Sequence, residues 1–388
     1  MKIEPFGVEI WMNQFENQCE YNLAETCVAS LTVAELLEMS VKNTDVLEDL
    51  MPMKLTYGFI EGSDRLRDAI STLYDNQTRD NIVVTHGAVG ANALVHETIV
   101  EPGDHVISVR PTYQQHYSIP ESYGATVDIL QLRPENGFIP DLDEFAGMVR
   151  PETKLIAINN PNNPTGALMD AGFLERFIAI ARNSQAYILC DEVYRGTAQN
   201  GDGFSPAMAD LYERGISVAS MSKTFSLAGL RLGWIVAAPE VLEAVSIHRD
   251  YNTISVGMLD DYFAALALES KDRILARSHR ITRGNLQILD AWVQREAAIS
   301  YIKPKAGTTA LLKYDFDMPS RDFCIELLKA TGVMFTPGSV MHMEGWLRIG
   351  YANSPDILKV GLEKVSGFLQ HLHAKGIPPA RAVRGGVI

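Results

Sequence analysis

The sequence predicts an α/β protein whose large domain holds a mostly parallel, doubly wound sheet and whose smaller α+β domain combines both ends of the chain. With 388 residues, the chain is long enough for two such domains. Between residues 80 and 240, short apolar runs alternate with helical patterns, as in βαβ units. Polar residues follow several of these runs, and ligands of such sheets bind at the carboxyl ends of the strands. The fold class therefore predicts where a site should lie.

The apolar runs predict strands at 81–85, 105–110, 154–159, 187–191, 216–221 and 233–238. Helical periodicity predicts helices at 64–74, 93–100, 259–294 and 322–330, and a last helix that begins after Ser354. We expect a large domain over 45–295 and a small domain formed by 1–44 and 296–375. Residues 376–388 contain prolines and glycines, and we expect them to form a mobile tail.

Composition excludes several classes of protein. Hydrophobic residues make up 46% and charged residues 21%, as in ordinary globular proteins, and the net charge of −14 argues against a nucleic-acid-binding surface. No run of 18 apolar residues could cross a membrane, and no signal-like run follows Met1, so we expect a cytoplasmic protein. A reducing compartment also suits the cysteines, which lack CxxC spacing: Cys19, Cys27, Cys190 and Cys324.

The first 30 residues alternate acidic and aromatic side chains, and two interpretations stay open. In the first, this segment is a solvated arm whose aromatic residues dock on a partner. In the second, one or two of its carboxylates lie at the mouth of a site and face a cationic substrate. The carboxylates concerned are Glu4, Glu9, Glu16, Glu20 and Glu25.

The stretch from Ser220 to Trp234 contains Lys223 between two predicted strands. A lysine there can form a Schiff base with an aldehyde. Ser220, Ser222 and Arg231 supply hydroxyl groups and a guanidinium that suit a phosphate. An aldehyde and a phosphate on one small molecule describe pyridoxal phosphate (PLP).

Two further motifs follow predicted strands. Asn163 lies in a loop with two Asn-Pro pairs, which is either a well-made turn or a source of side-chain donors. Asp191 ends an apolar strand, where a carboxylate is costly without a cationic partner such as a protonated pyridine nitrogen. It could alternatively cap the next helix. Tyr194 is placed to reach the phenolic oxygen of the same ring.

In this order, the motifs resemble those of the fold-type I PLP-dependent enzymes, the aspartate aminotransferase superfamily, in its class I/II branch. The likeness runs from about Thr56 to Gly350. It implies the PLP-dependent transferase fold, pyridoxal 5'-phosphate as cofactor, a free amino acid as substrate and a homodimer.

The resemblance also implies roles for individual residues. Lys223 forms the Schiff base and shuttles the α-proton, Asp191 pairs with the pyridine nitrogen, and Asn163 and Tyr194 bind the ring oxygen. Tyr113 stacks on the ring, Tyr57 reaches the phosphate of the partner subunit, and Arg348 binds the substrate α-carboxylate. The residues implied for the phosphate are Ser220, Ser222 and Arg231, with backbone N–H groups of Gly87, Ala88 and Val89 at a helix N-terminus.

The chain departs from this pattern at two places. Val89 stands where the family often has a hydroxyl residue, so the phosphate depends more on backbone groups. Glu25 occupies a stretch where related aminotransferases carry a glycine-containing segment over the substrate, and we expect it to contact the substrate side chain. The histidines, His86 among them, receive no role.

The motifs leave three functions open. Transamination is the commonest reaction in this branch and ranks first. A β/γ-elimination lyase or a cyclase on an arginine-like (guanidino) amino acid such as canavanine or hydroxyarginine is the main alternative, because Glu25 could bind a cation. A non-catalytic PLP-binding regulator is a minor alternative, since no basic helical segment precedes the domain.

Overall fold

The computed structural model describes residues 2–40 and 46–378. Its strands are β1 (Tyr21–Asn22), β2 (Ile82–Thr85), β3 (His105–Arg110), β4 (Thr126–Gln131), β5 (Thr153–Asn159), β6 (Tyr187–Asp191), β7 (Gly215–Ser220), β8 (Gly233–Val236), β9 (Ile299–Tyr301), β10 (Thr309–Tyr314), β11 (Val333–Met334), β12 (Thr336–Pro337) and β13 (Trp346–Gly350). Its α-helices are α1 (Gly7–Phe15), α2 (Val33–Met39), α3 (Val46–Leu50), α4 (Asp64–Ser71), α5 (Gly87–Ile99), α6 (Gln115–Ser122), α7 (Leu142–Met148), α8 (Ala171–Ala181), α9 (Met208–Leu211), α10 (Pro239–Asp250), α11 (Met258–Glu269), α12 (Lys271–Arg295), α13 (Ser320–Thr331) and α14 (Pro355–Ala374).

Seven strands form the main sheet, in the order β2-β8-β7-β6-β5-β3-β4. The five strands from β7 to β4 run parallel, and β8 and β2 are antiparallel to their neighbours. The central strands β6 and β7 are almost entirely buried, because helices cover both faces of the sheet. The predicted α/β fold class is therefore confirmed.

Differences from the predicted elements have local causes. β4 was not predicted, because it is an edge strand with polar residues, including Thr126 and Asp128, among its apolar ones. The predicted helical region at 259–294 is two helices, α11 and α12, which meet at Ser270. α5 begins at Gly87, earlier than the predicted helix, and thus places Gly87 at a helix N-terminus.

A second, antiparallel sheet has the order β12-β13-β10-β9, and the N-terminal residues pack beside it. β1 pairs in parallel with β11, and the fully buried Trp11 donates from its indole nitrogen to the Phe335 carbonyl oxygen at 2.9 Å. The N-terminal segment therefore docks on its own chain through Trp11.

The division into two domains stays a prediction. Its boundary residue 45 and residues 379–388 of the predicted tail lie outside the described residues, while the Pro378 carbonyl oxygen accepts a hydrogen bond from the Asp317 N–H at 3.0 Å.

Among residues 2–40 and 46–378, no helix combines the length and the apolar character that a membrane span requires.

Candidate active site

One cavity of about 620 Å³ lies at the carboxyl ends of β5, β6 and β7. Fourteen of the candidate site residues named from the sequence line it: Glu9, Glu16, Glu25, Ala88, Val89, Tyr113, Asn163, Asp191, Tyr194, Ser220, Ser222, Lys223, Arg231 and Arg348. Gly87 directly precedes the lining residues of α5. Tyr57 does not line this cavity, and 80% of its surface is exposed.

Lys223 lies in the connection between β7 and β8, where the chain leaves the parallel part of the sheet. Its Nζ donates to Thr26 Oγ1 at 2.6 Å and to Cys27 Sγ at 3.5 Å. Burial alone would lower the pKa of Lys223, but the acidic groups of Tyr194, Cys27 and Glu25 outweigh burial and raise it. The amine is therefore held by the N-terminal segment.

Asp191 ends β6 and is almost completely buried. Its Oδ2 accepts from Asn92 Nδ2 at 2.9 Å and lies 3.5 Å from His116 Nε2, and its Oδ1 accepts from the Val193 N–H at 3.2 Å. Buried carboxylates are costly without a cation. A carboxylate held this way at the cavity wall fits the protonated nitrogen of a pyridine ring.

Backbone and guanidinium groups form a cradle for an anion beside α5. Gly87 has φ +65°, and a Cβ at this position would lie 3.0 Å from Arg231 Nη2. Glycine therefore allows the Arg231 guanidinium to approach the N-terminus of α5, where unpaired N–H groups favour an anion. Ser220 and Ser222 also line this cavity. This donor set fits the phosphate of PLP.

Tyr194 and Asn163 also line the cavity, and Asn163 contacts Arg348. Burial raises the pKa of Tyr194, although Lys223 and Arg348 act in the opposite direction. The Asn163 N–H donates to Asn159 Oδ1 at 2.6 Å, and its Oδ1 accepts from Arg348 Nη1 at 3.4 Å. Asn159 also donates from Nδ2 to the Asp191 carbonyl oxygen at 2.8 Å, so the loop after β5 is anchored to β6.

Arg348, in β13, is only 3% exposed. Besides Asn163, it donates from Nη2 to the Ala24 carbonyl oxygen and to Thr336 Oγ1, each at 3.2 Å. These acceptors are neutral, and Nε has no partner in the described part of the chain. Burial lowers the pKa of Arg348, while Tyr194, Glu25 and Glu9 raise it. A buried guanidinium without a neutralising contact is suited to bind a carboxylate.

Three carboxylates from the N-terminal segment line the cavity: Glu9, Glu16 and Glu25. Glu25 Oε1 accepts the N–H groups of Thr26 at 2.7 Å and Cys27 at 3.0 Å. Burial would raise the pKa of Glu25, but the Lys223 charge and these hydrogen bonds lower it. Glu9, in α1, accepts from the Tyr113 hydroxyl at 2.8 Å. The second interpretation of the N-terminal segment, carboxylates at a site, therefore agrees with the positions of Glu9 and Glu25.

Sequence reasoning missed three residues of the site. His116 and Asn92 contact Asp191, and Thr26 contacts Lys223. Thr26 is adjacent to Glu25, which is a usable signal, whereas nothing in the sequence links His116 to Asp191. Asn92 could have been found as the residue five positions after Gly87, one helical turn or more into α5.

The fold and the cavity define a PLP-dependent enzyme of fold type I. The model of the family aminotransferase class I and II matches residues 24–365, and this chain belongs to that family. Pyridoxal 5'-phosphate is the cofactor of the family, so the predicted family and cofactor are both confirmed.

Three similar proteins differ in their reactions. A PLP-dependent aminotransferase from Streptococcus suis 89-1591 is 45% identical, with 96% of this chain and 99% of that chain covered and a TM-score of 0.93. Capreomycidine synthase of Streptomyces vinaceus is 30% identical over 372 residues, 95% of this chain and 94% of that protein. The PLP-dependent cyclase OrfR is 25% identical, with 96% and 98% covered and a TM-score of 0.87. Family membership thus establishes the cofactor and does not choose between transamination and cyclisation.

Proposed function

We propose that this chain is an aminotransferase that acts on a free L-amino acid with a cationic side chain. The observation that carries this proposal is the charge pattern around Lys223. The buried Arg348 lines the same cavity as carboxylates of the N-terminal segment, Glu9 and Glu25 among them. An amino acid with a carboxylate at one end and a cation at the other complements that pattern.

The proposed roles follow from the contacts. When bound, PLP supplies an electron sink that weakens the bonds at the substrate α-carbon. Asp191, held by Asn92 and His116, stabilises the protonated pyridine nitrogen. Lys223 would accept the α-proton at Nζ and return it on the cofactor side of the substrate. Hydrolysis would then release the oxo acid, and the same steps in reverse with the acceptor 2-oxo acid would complete transamination.

The remaining residues bind and orient. Tyr194 and Asn163 would donate to the ring oxygen, Tyr113 would hold the ring, and Arg348 would bind the substrate α-carboxylate. Phosphate binding is assigned to Ser220, Ser222, Arg231 and the N–H groups of Gly87, Ala88 and Val89.

The acidic lining also constrains the amino acceptor. A 2-oxo acid with a second carboxylate would place that group near Glu9 and Glu25, and like charges in a partly buried site repel. We therefore expect a monocarboxylic 2-oxo acid such as pyruvate to accept the amino group in preference to 2-oxoglutarate.

A second candidate is a lyase or cyclase that acts on a guanidino amino acid such as canavanine or hydroxyarginine. Two observations favour it: the same carboxylates suit a guanidinium, and the similar proteins include a synthase and a cyclase. Such a reaction needs no oxo acid, so the repulsion described above would be irrelevant to it.

One assay separates these candidates. The holoenzyme is incubated with L-arginine, L-lysine, canavanine or hydroxyarginine, each with and without pyruvate, and products are identified by mass spectrometry. Formation of alanine that depends on pyruvate is the expected result. Ammonia, a released side-chain fragment or a cyclised product without pyruvate would instead establish the second candidate. Bound cofactor without turnover of any amino acid would favour a PLP-binding regulator.

We further propose a homodimer in which Tyr57 completes the site of the partner subunit. Tyr57 is exposed and lies outside the cavity of its own chain, and Leu55, Phe59 and Tyr251 are also exposed large apolar residues. Leu55, Tyr57 and Phe59 lie within five residues of one another, and a contiguous exposed apolar patch is typical of an interface. Sedimentation should give about twice the chain mass of 42.9 kDa, and Tyr57→Phe should weaken PLP retention.

A further inference from the structure

We propose that Thr26 is a positioning residue for the amine of Lys223, and that the turn carrying Thr26 couples substrate recognition to that amine. This inference rests on the proposed function only for the identity of the substrate. It concerns the short segment from Asn22 to Cys27, for which the sequence predicted only a contact between Glu25 and the substrate side chain.

The contact between Thr26 and Lys223 is direct. Thr26 Oγ1 lies 2.6 Å from Lys223 Nζ, and a hydroxyl that accepts from an ammonium makes a charge-assisted hydrogen bond. Cys27 Sγ is a second acceptor at 3.5 Å, but sulfur is a weak one. Thr26 is therefore the stronger of the two side-chain contacts of this amine.

The turn that presents Thr26 is fixed from several sides. Asn22 Oδ1 accepts the N–H groups of Ala24 at 3.0 Å and Glu25 at 3.1 Å. Thr308 Oγ1 donates to the Thr26 carbonyl oxygen at 2.6 Å. At Gly350, a Cβ would collide with the Glu25 carbonyl oxygen, so glycine lets the turn lie against β13. A hydroxyl on so constrained a backbone can hold an amine in one place.

Glu25 connects this hydroxyl to the substrate side. Its Oε1 accepts the Thr26 N–H at 2.7 Å, and a carboxylate has about four lone-pair positions, so it can also accept from a substrate cation. A cation bound at Glu25 therefore sits one residue from the group that positions the proton-carrying amine. Thr26 thus keeps Lys223 aligned with the α-carbon while the proton moves from that carbon to Nζ.

The test compares Thr26→Val, which removes the hydroxyl at similar volume, with Thr26→Ser, which keeps it. Cofactor-free protein is mixed with PLP, and formation of the Schiff base is followed by absorbance as a function of pH. Attack requires the neutral amine, and the Thr26 hydroxyl stabilises the charged one. Thr26→Val should therefore move the half-maximal rate about one pH unit lower, and Thr26→Ser should stay near wild type.

A second measurement uses the holoenzyme with L-arginine or L-lysine and follows exchange of the α-proton in deuterated water. We expect Thr26→Val to lower the exchange rate about tenfold at unchanged KM, and Cys27→Ala to have a smaller effect. Equal pH midpoints for wild type and Thr26→Val would refute the positioning role, as would a Thr26→Ser variant that behaves like Thr26→Val. If wild type exchanges neither amino acid, the proposed substrate class fails, while the pH midpoints still decide the role of Thr26. Thr26→Ala replaces Thr26→Val if the latter does not give a wild-type melting temperature.

Discussion

The cavity has two halves that are built in different ways. The cofactor half, with Asp191, Ser220, Ser222, Lys223 and Arg231, comes from the ends of neighbouring strands of one sheet and the loops that follow them. The substrate half, with Glu9, Glu25, Thr26 and Arg348, joins residues more than 300 positions apart in the chain.

Local sequence motifs determine the positions of the side chains in the first half, and long-range packing determines them in the second. In the cofactor half, short sequence motifs place each group, because a strand end determines where the next side chain lies. In the substrate half, the side chains come together where the N-terminal segment folds back onto β13, and the Gly350 N–H donates to the Leu23 carbonyl oxygen there at 2.7 Å. The first half fits the cofactor shared by the family, and we propose that the second half selects the substrate.

The largest effect is expected in the cofactor half, from Lys223→Ala. This change removes both the Schiff-base amine and the proton carrier, so turnover should fall by more than about 10⁴-fold. Activity is measured as product formation from L-arginine or L-lysine with pyruvate. Lys154→Ala, at an exposed lysine, is the matched control and should be fully active. PLP retained by Lys223→Ala, measured after gel filtration, would show that the phosphate cradle binds independently of the amine.

A smaller but still large effect is expected from Arg348→Lys. Lysine keeps the charge but loses the planar, bidentate donor pair, and it leaves Asn163 and Thr336 without their donor. We expect kcat/KM to fall about 10- to 150-fold for every amino acid, whatever its side chain, because the lost contact is to the shared α-carboxylate. Steady-state kinetics with lysine and with a neutral amino acid check this; a loss confined to one of them would contradict the role.

The two halves also differ in how far the sequence predicted them. The loop containing Asn163, the strand-end Asp191 and the Lys223 motif line one cavity, since each motif lies at a strand end. Glu25 was placed there by its position in the N-terminal stretch. Glu9 could not be assigned, because it depends on how α1 packs, which the hydrogen bond from the Gly7 N–H to Gln114 Oε1 at 2.9 Å helps to fix. His116 was missed because a single histidine carries no sequence signal of its partner.

A selective effect in the substrate half is expected from Glu25→Gln. Glutamine removes the negative charge but keeps an oxygen for the Thr26 and Cys27 N–H groups. KM for lysine or arginine should rise about tenfold, while KM for a neutral amino acid stays within about twofold. Because the pKa of Glu25 is lowered, the ratio of mutant to wild-type KM should hold constant from neutral pH down to about 4.3, the ordinary value for glutamate. Glu38→Gln, at an exposed position of α2, is the control.

The smallest effect is expected from Glu9→Gln, which tests whether one carboxylate or two bind the substrate cation. Glutamine can still accept from the Tyr113 hydroxyl, so the tyrosine should keep its position and only the charge is lost. We expect KM for cationic amino acids to rise about two- to fivefold at unchanged kcat. Tyr113→Phe, which breaks the same hydrogen bond and leaves the Glu9 charge, should affect neutral and cationic amino acids alike. If the Glu9→Gln and Glu25→Gln effects multiply in the double variant, each carboxylate contributes to cation binding independently. If KM for cationic amino acids is no higher in the double variant than in Glu25→Gln alone, Glu25 alone binds the cation. The role of Glu9 is then only to position Tyr113.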